Sequence, residues 1–201
     1  RFRAAGSGRA VAFRQIGAWG WASWRRVIDT WDADYRFMDD PQTLAQLQQL
    51  IAQRKLRPDF LKMCADHKAS GKAYYETIFW ASMLLNSAVA IMPTRNQINN
   101  IGVIEDSTHF STLNTMPAPL RRIFTMKRIE QQFPLQHPAH IIEHVAFKER
   151  VYRRHAWGHP WIKTRYAFIE LGLNLRHGNF KQIGKSMTKR LRMWLGMEKH
   201  R

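Results

Sequence analysis

Cysteine is nearly absent from this sequence, and long uninterrupted apolar runs are absent altogether. The 201 residues include one cysteine, Cys64. A single cysteine excludes an internal disulfide and fits a reducing compartment. The longest apolar run, over residues 78–92, is interrupted by serine and asparagine, whereas a membrane-spanning helix needs about 20 consecutive apolar residues. The sequence therefore predicts no transmembrane helix, and it contains no pattern typical of a secretory signal.

Acidic residues are also scarce. Lysine and arginine number 32 against 15 aspartates and glutamates, a formal net charge of +17. Such a charge attracts polyanions, which include nucleic acid, nucleotide phosphates and anionic membranes, although a generally basic soluble protein has the same composition. Hydrophobic residues make up 45% of the chain, which is typical of a globular protein with one full core or one large domain.

Hydrophobic periodicity predicts a mainly helical chain with one short strand. Residues 1–18 show no periodicity and are predicted to be a loop. The strand is predicted over residues 89–92, where a proline ends it. The predicted helices are 23–31, one beginning at Pro41, 58–64, 74–86, 120–132, 141–152, 161–175 and 179–195.

The segment after the predicted strand is rich in polar side chains that suit a binding loop. Asn96, Asn99 and Asn100 lie within five residues, Gly102 follows, and Thr108-His109 comes shortly after. Asparagine offers paired donors and acceptors, and glycine allows the backbone to approach a ligand closely. Histidine binds metals or phosphates. The segment therefore predicts a polar pocket.

A tryptophan cluster precedes the first predicted helix. Trp19, Trp21 and Trp24 lie within six residues, and Gly20 separates the first two. Indole rings offer flat apolar surfaces on which sugars stack, and their N–H groups donate hydrogen bonds. The cluster indicates the wall of a sugar-binding site. The alternative is a core anchor where a loop enters a helix.

Glu76 is predicted in the first turn of the apolar helix over residues 74–86. The helix dipole and the free N–H groups of that turn stabilise a carboxylate there. Such a residue suits a general base that deprotonates a hydroxyl. The alternative is an ordinary first-turn glutamate that only stabilises its own helix.

Two other patterns have the spacing of metal ligands but are weak. Asp32-Ala33-Asp34 resembles an Asp-x-Asp motif, yet it follows an amphipathic segment rather than a buried strand, so we predict a solvated loop. His140 and His144 are four residues apart, which alone is a weak metal signal.

The two best-defined motifs resemble bacterial family 2 type glycosyltransferases. The run from Trp19 to Arg26, which includes Arg25, resembles the "WGWATWRR" stretch of these enzymes. Pro93-x-x-Asn96-x-Ile98-x-Asn100-Ile101-Gly102, followed by Thr108-His109, resembles their "P-x-x-N-x-I-x-N-I-G … T-H" segment. The order of the motifs also agrees, and the resemblance covers roughly residues 13–112.

The resemblance implies an α/β protein, the helix-rich C-terminal part of a GT-A fold whose nucleotide-binding half would precede Arg1. It implies sugar transfer from a nucleotide-sugar donor to a hydroxyl of a surface-glycan or lipid-linked acceptor. Glu76 would be the catalytic base, at a position where the family often carries aspartate. Trp19, Gly20, Trp21, Trp24, Arg25, Asn96 and Asn100 would bind substrate. His109 would help bind a divalent metal, Mg or Mn, whose ligands lie mostly outside this chain.

Domains are predicted at 1–116, the acceptor side of the catalytic domain, and at 117–201, a basic helical extension. In the last predicted helix, apolar residues recur at helical intervals between lysines and arginines, which is typical of an interfacial anchor on an anionic membrane. The predicted location is cytoplasmic, peripheral to the inner membrane. Packing of this helix on the domain is the alternative. The rival functions are a basic nucleic-acid-binding module, which the motifs do not favour, and a non-catalytic membrane adaptor.

Overall fold

The structure, a computed structural model, describes residues 10–14, 20–98, 113–130, 133–134 and 139–194, with side chains as far as residue 188 in the last helix. Two short 3-10 helices, Arg36–Asp39 and Leu113–Thr115, accompany the strands and α-helices. The elements are β1 (Ala10–Phe13), α1 (Arg25–Ile28), α2 (Pro41–Leu50), α3 (Arg57–Ser70), α4 (Tyr75–Leu85), β2 (Ala90–Pro93), α5 (Ala118–Thr125), α6 (Val145–His155), α7 (Pro160–Arg176) and α8 (Phe180–Trp194).

The described sheet has two antiparallel strands, with Ala12 of β1 opposite Ile91 of β2. The prediction of a loop over residues 1–18 is wrong for β1. Its four residues are too few to show a periodicity, and their hydrogen-bond partners lie far along the chain. On its other side, the carbonyl of Ala12 accepts a hydrogen bond from the N–H of His144 at 2.9 Å.

Helix α4 lies at the centre of the core. Its residues from Thr77 to Leu84 are all buried, as expected for a helix that is apolar most of the way round. Aromatic and aliphatic side chains from several elements surround it. The largest buried side chains of this core include Phe13, Tyr35, Leu47, Phe60, Ile78, Trp80 and Tyr152.

Helix α2 begins where the sequence predicts a start at Pro41. The carboxylate of Asp40 accepts hydrogen bonds from the N–H groups of Gln42 and Thr43, at 3.1 and 3.2 Å. Proline in the first turn needs no such partner, because it has no N–H group. This cap and the proline together fix the start of α2.

Two predicted helices end early in the structure, and the helix predicted over residues 141–152 begins only at Val145. Of residues 23–31 only Arg25–Ile28 are α-helical. The chain continues as a turn in which the N–H of Trp31 donates to the carbonyl of Ile28, and the ring of Trp31 packs on Phe79. Of the helix predicted over residues 120–132, residues 131 and 132 lie outside the described residues, and the described part is helical only up to Thr125, the end of α5. Met126 is extended, and the following segment hydrogen-bonds to Asn96 instead.

The described chain is helix-rich with one small sheet, which is consistent with a general α/β class. Among the described helices, none combines the length and the apolar character needed to cross a membrane. The division at residue 116 stays a prediction. Contacts do cross it, since Tyr152 of α6 belongs to the same buried cluster as Phe13 and α4.

Candidate functional site

Trp21 lies on an aromatic cluster formed with the first turns of α4. Its ring centroid is 6.1 Å from that of Tyr75, 5.3 Å from Phe79 and 6.1 Å from Trp31. The Trp21 side chain still exposes 40% of its surface. The structure thus brings one predicted sugar-binding tryptophan to the turn of α4 that carries Glu76, with part of its surface accessible.

The segment after Trp21 is attached to α4 at a second point. The hydroxyl of Thr30 lies 2.7 Å from that of Ser82, a buried residue of α4. This hydrogen bond attaches the turn after α1 to the middle of α4. The tryptophan motif and the catalytic candidate therefore belong to one packed unit.

Glu76 is exposed in the first turn of α4, while the helix behind it is buried. Its neighbour Tyr75 interacts with the carboxylate. Burial raises the pKa of Tyr75, and the negative charge of Glu76 and a hydrogen bond to it raise that pKa further. The phenol therefore stays protonated, and an accessible carboxylate lies beside an aromatic surface. A carboxylate in that position can accept a proton from a bound hydroxyl group.

Gly20 connects the tryptophan motif to the polar segment. Its φ is +63°, and a Cβ atom at this position would lie 3.2 Å from Cγ2 of Ile98. Glycine adopts such a φ without strain, and it leaves room for the neighbouring side chain. The described residues of the two resembling motifs thus come into contact, although they are far apart in sequence.

Asn96 fixes the backbone of a neighbouring segment. Its side-chain amide donates a hydrogen bond to the carbonyl of Met126 at 3.0 Å, and its own carbonyl accepts one from the N–H of Ile129 at 2.8 Å. The amide donor is therefore engaged with the protein. A substrate-binding role for Asn96 stays a prediction, and the structure gives it a positioning role.

The other predicted substrate-binding and metal-binding residues are either exposed or outside the described part of the chain. Trp24 is 62% exposed, and the guanidinium of Arg26 lies 5.1 Å from its ring centroid. Arg25 is exposed at the start of α1. Trp19, Asn100 and His109 lie outside the described residues.

The weak metal patterns have local structural roles. Asp32 accepts hydrogen bonds from the N–H of Phe37 at 2.9 Å and from Arg36 at 3.2 Å, and Asp34 is exposed in a turn. His144 caps α6, since its Nδ1 accepts from the N–H of Phe147 at 3.2 Å. In the described part of the chain, no three His, Cys, Asp or Glu side chains could hold a metal ion together.

A buried polar network supports the first turn of α4, and sequence reasoning missed it. The hydroxyl of Thr77 lies 2.7 Å from that of Tyr35 and 2.8 Å from Nδ1 of His67. The imidazole of His67 stacks on the ring of Tyr74, with centroids 3.9 Å apart. Burial lowers the pKa of His67, against the opposing charges of Glu76 and Asp66. The three polar residues come from three separate segments, so no spacing in the sequence could have indicated the network.

Comparisons of the chain with protein-family models, with curated proteins and with solved structures found no match. A functional assignment therefore depends on the motifs and on the geometry of this site.

Proposed function

We propose that this chain is the acceptor-side and C-terminal part of an inverting glycosyltransferase with a GT-A fold. It would transfer a sugar from a nucleotide-sugar donor to a hydroxyl of a surface-glycan or lipid-linked acceptor. The observation that carries the proposal is the convergence of three segments, in which Trp21 packs on Tyr75 beside Glu76 and Gly20 packs on Ile98.

In the proposed reaction, the carboxylate of Glu76 accepts the proton of the acceptor hydroxyl. The acceptor oxygen forms a bond to the anomeric carbon of the donor, and the bond from that carbon to the diphosphate breaks. The nucleoside diphosphate leaves with the electron pair, and the configuration at the anomeric carbon inverts. The indole ring of Trp21 would hold the acceptor sugar by stacking on the C–H face of the sugar ring.

A divalent metal, Mg or Mn, is proposed only because the family resemblance implies one. Magnesium and manganese prefer carboxylate, carbonyl and water ligands, and the described residues do not supply such a group. The proposed reaction therefore has no step through the metal, and His109 stays a predicted ligand outside the described residues.

The test compares Glu76→Gln with Asp34→Asn in the protein that also carries the proposed donor-binding half. Turnover is measured as nucleoside diphosphate released from a panel of nucleotide sugars, and donor binding is measured by calorimetry. We expect Glu76→Gln to lower turnover by at least about 100-fold, a typical contribution of general base catalysis, with donor binding unchanged. Asp34→Asn is expected to keep normal turnover, because Asp34 is exposed in a turn.

Near-normal turnover in Glu76→Gln would remove this residue from the mechanism. Equal losses in both variants would point to a general effect of lost negative charge. A further variant, Trp21→Ala, should raise KM for the acceptor more than it changes kcat, because its proposed role is binding.

The exposed positive charge favours nucleic-acid binding as a second candidate function. Arg121 and Arg122 on α5 are exposed, as are Lys127 and Arg128 in the segment after it. Clustered cations bind nucleic-acid phosphates with a steep dependence on salt. Tight, salt-sensitive binding to random oligonucleotides, lost in Arg121→Gln with Arg122→Gln, would support this candidate. Our proposal predicts weak binding that these substitutions change little.

We also propose that the protein is cytoplasmic and peripheral to the inner membrane, with α8 at the membrane surface. The sequence of α8 contains lysine and arginine but no acidic residue, and Phe180 and Met187 are exposed. Anionic phospholipids attract such a helix.

A further inference from the structure

The outward side of α7 is apolar, which is the reverse of an ordinary surface helix. Trp161 exposes 86% of its surface, Phe168 69% and Leu175 52%. These residues are seven positions apart, and positions seven apart lie on the same side of an α-helix. Leu171, which is also exposed, falls on the same side. The helix thus presents an apolar stripe to solvent along its whole length.

The opposite side of α7 is already packed against the protein. Asn174 is buried, and Ile162, Ile169 and Leu173 are partly buried. The hydroxyl of Tyr166 donates a hydrogen bond to the carbonyl of Arg154 in α6 at 3.2 Å. Because these contacts fix the rotation of α7, its apolar stripe cannot turn into the core.

Two of the three basic residues of α7 flank this stripe, whereas Lys163 lies on another side and its Nζ is 3.9 Å from the carboxylate of Asp59. Arg165 and Arg176 are exposed and lie at the edge of the stripe by helical spacing. Glu170, the one acidic residue of the helix, lies on the packed side and is partly buried. The exposed side of α7 therefore combines apolar rings with positive charge and carries no acidic residue.

The same combination continues into α8. Phe180 and Met187 are exposed apolar residues, and Lys181 and Lys185 are exposed cations. Between the helices, the N–H of Asn179 donates to the carbonyl of Asn174 at 2.9 Å, so the turn that joins them is fixed. Phe180 is therefore the next exposed apolar residue along the chain after the α7 stripe.

We infer that the outward side of α7, defined by Trp161, Phe168, Leu171 and Leu175 with Arg165 and Arg176, binds the surface of an anionic lipid bilayer. Tryptophan and phenylalanine would enter the boundary between headgroups and acyl chains. The arginines would bind lipid phosphates while their stems cover apolar surface. The inference extends the proposed peripheral membrane association from α8 to a second helix, and it does not depend on the transfer reaction.

The positive charge beside the apolar stripe favours a membrane over a protein as the binding partner of the outward side of α7. A helix face with positive charge at its edge and no acid complements a surface that is uniformly negative. Basic residues near an anionic bilayer are attracted to its surface. The exposed aromatic and aliphatic side chains add the larger apolar contribution.

The experiment measures sedimentation of the whole chain with phosphatidylcholine vesicles, with and without phosphatidylglycerol. We expect tighter binding to the anionic vesicles than to the neutral ones, and weaker binding to the anionic vesicles as salt is raised. Trp161→Ser with Phe168→Ser should lower the partition coefficient at least about tenfold, because each ring loses apolar burial. Arg165→Gln with Arg176→Gln should lower it by roughly 30-fold, because two basic residues no longer attract the anionic surface. The control, Leu50→Ser with Met63→Ser, removes two exposed apolar side chains from α2 and α3 and should leave binding unchanged.

A fluorescent label gives a second, independent readout. Cys64 is fully buried, and burial raises the pKa of its thiol to about 12, so it does not react in the native protein. A polarity-sensitive fluorophore on Leu175→Cys should shift to shorter wavelength when anionic vesicles are added. The same fluorophore on Leu50→Cys should not shift.

Four results would overturn the inference. Equal binding to both kinds of vesicle would exclude recognition of the anionic surface, and normal binding by the Trp161/Phe168 variant would exclude the α7 face. A label at position 175 that is already apolar without vesicles would mean that another part of the chain covers the face. Concentration-dependent dimers that the same variant abolishes, without vesicle binding, would identify a second copy as the occupant. None of these results bears on turnover with a soluble acceptor, which tests the proposed function separately.

Discussion

The hydroxyl group of Thr77 lies 2.8 Å from Nδ1 of His67, beneath the turn of α4 that carries Glu76. The same hydroxyl lies 2.7 Å from that of Tyr35, and all three side chains are buried or partly buried. The network joins α3, α4 and the turn before the first 3-10 helix. It therefore fixes the backbone at the start of α4, from which Glu76 projects.

Replacement of Thr77 by valine should destabilise the protein. Thr77→Val keeps the shape of the side chain but leaves Tyr35 and His67 without this partner. We expect the free energy of unfolding to fall by about 1–3 kcal/mol, the usual cost of a buried polar group that loses its hydrogen bond. Urea unfolding measures the change. Thr125→Val is the control, because Thr125 is exposed on α5, and it should change stability by less than about 0.5 kcal/mol.

Stability should fall as the pH falls below about 6.5. Burial lowers the pKa of His67 from its ordinary value of 6.5, and burial and then the charge of Arg154 lower that of His155. In this range the unfolded state binds more protons than the folded state, so protonation favours unfolding. The contribution of the two histidines to the free energy of unfolding is fully present above pH 6.5. It is lost as the pH falls through their pKa values in the folded state. The free energy of unfolding should therefore be lower at pH 5.5 than at pH 7.5.

Substitution of the two histidines checks the source of this pH dependence. His67→Gln with His155→Gln should flatten the decline, whatever its effect on stability at neutral pH. His177→Gln, at an exposed position, should leave the decline unchanged. If the free energy of unfolding still declined with pH in the double variant, other titratable groups would be the cause.

Gly20→Ala should be more destabilising than Gly71→Ala. Both glycines have a positive φ, +63° and +65°, so alanine is strained at either position, by about 1–2 kcal/mol. At Gly20 the added methyl group also meets Ile98 at 3.2 Å, whereas no atom lies within 4 Å at Gly71. Thermal unfolding of the two variants, compared in an Ile98→Ala background, isolates the contact. The difference between them should disappear in that background, and a difference that remains would contradict the packing of Gly20 on Ile98.

Lys148→Met should destabilise the protein far more than Lys62→Met. The ammonium of Lys148 lies 2.6 Å from the carboxylate of Glu143, and the two side chains are only 12% and 16% exposed. Removal of one partner leaves a largely buried charge, which costs about 3–5 kcal/mol when burial is complete and somewhat less here. Lys62 pairs with Asp66 on the surface, with 64% of its side chain exposed, and such pairs contribute about 0–1 kcal/mol. Equal losses in urea unfolding would show that the Glu143–Lys148 pair is effectively solvated.

The predictions from sequence were best where the structure of a segment depends mainly on its own residues. Helix α4 was predicted over residues 74–86 and is Tyr75–Leu85, and α8 was predicted over 179–195 and is Phe180–Trp194. Their apolar periodicity is local and extends over several turns. The start of α2 at Pro41 was equally clear, because proline favours the first turn of a helix.

Predictions failed or were incomplete where distant segments decide the structure. The strand β1 forms because β2 pairs with it, and a four-residue run carries no signal of that pairing. The helix predicted over residues 23–31 ends at Ile28, and Trp31 of the following turn packs on Phe79 of another helix. In the site, the sequence named Glu76, Trp21 and Asn96 individually, but it could not show which of them meet.

The sequence alone determined that the chain is basic, has one cysteine and forms mainly helices. Composition and short-range periodicity carry that information, since they depend only on neighbouring residues. The resemblance of the chain's two motifs to one glycosyltransferase family stays a prediction. Only the tertiary structure decided that Trp21 lies against the turn of Glu76 and that Asn96 is engaged with Met126. It alone decided that the apolar side of α7 faces solvent, because the rotation of a helix is fixed by the packing of its other side.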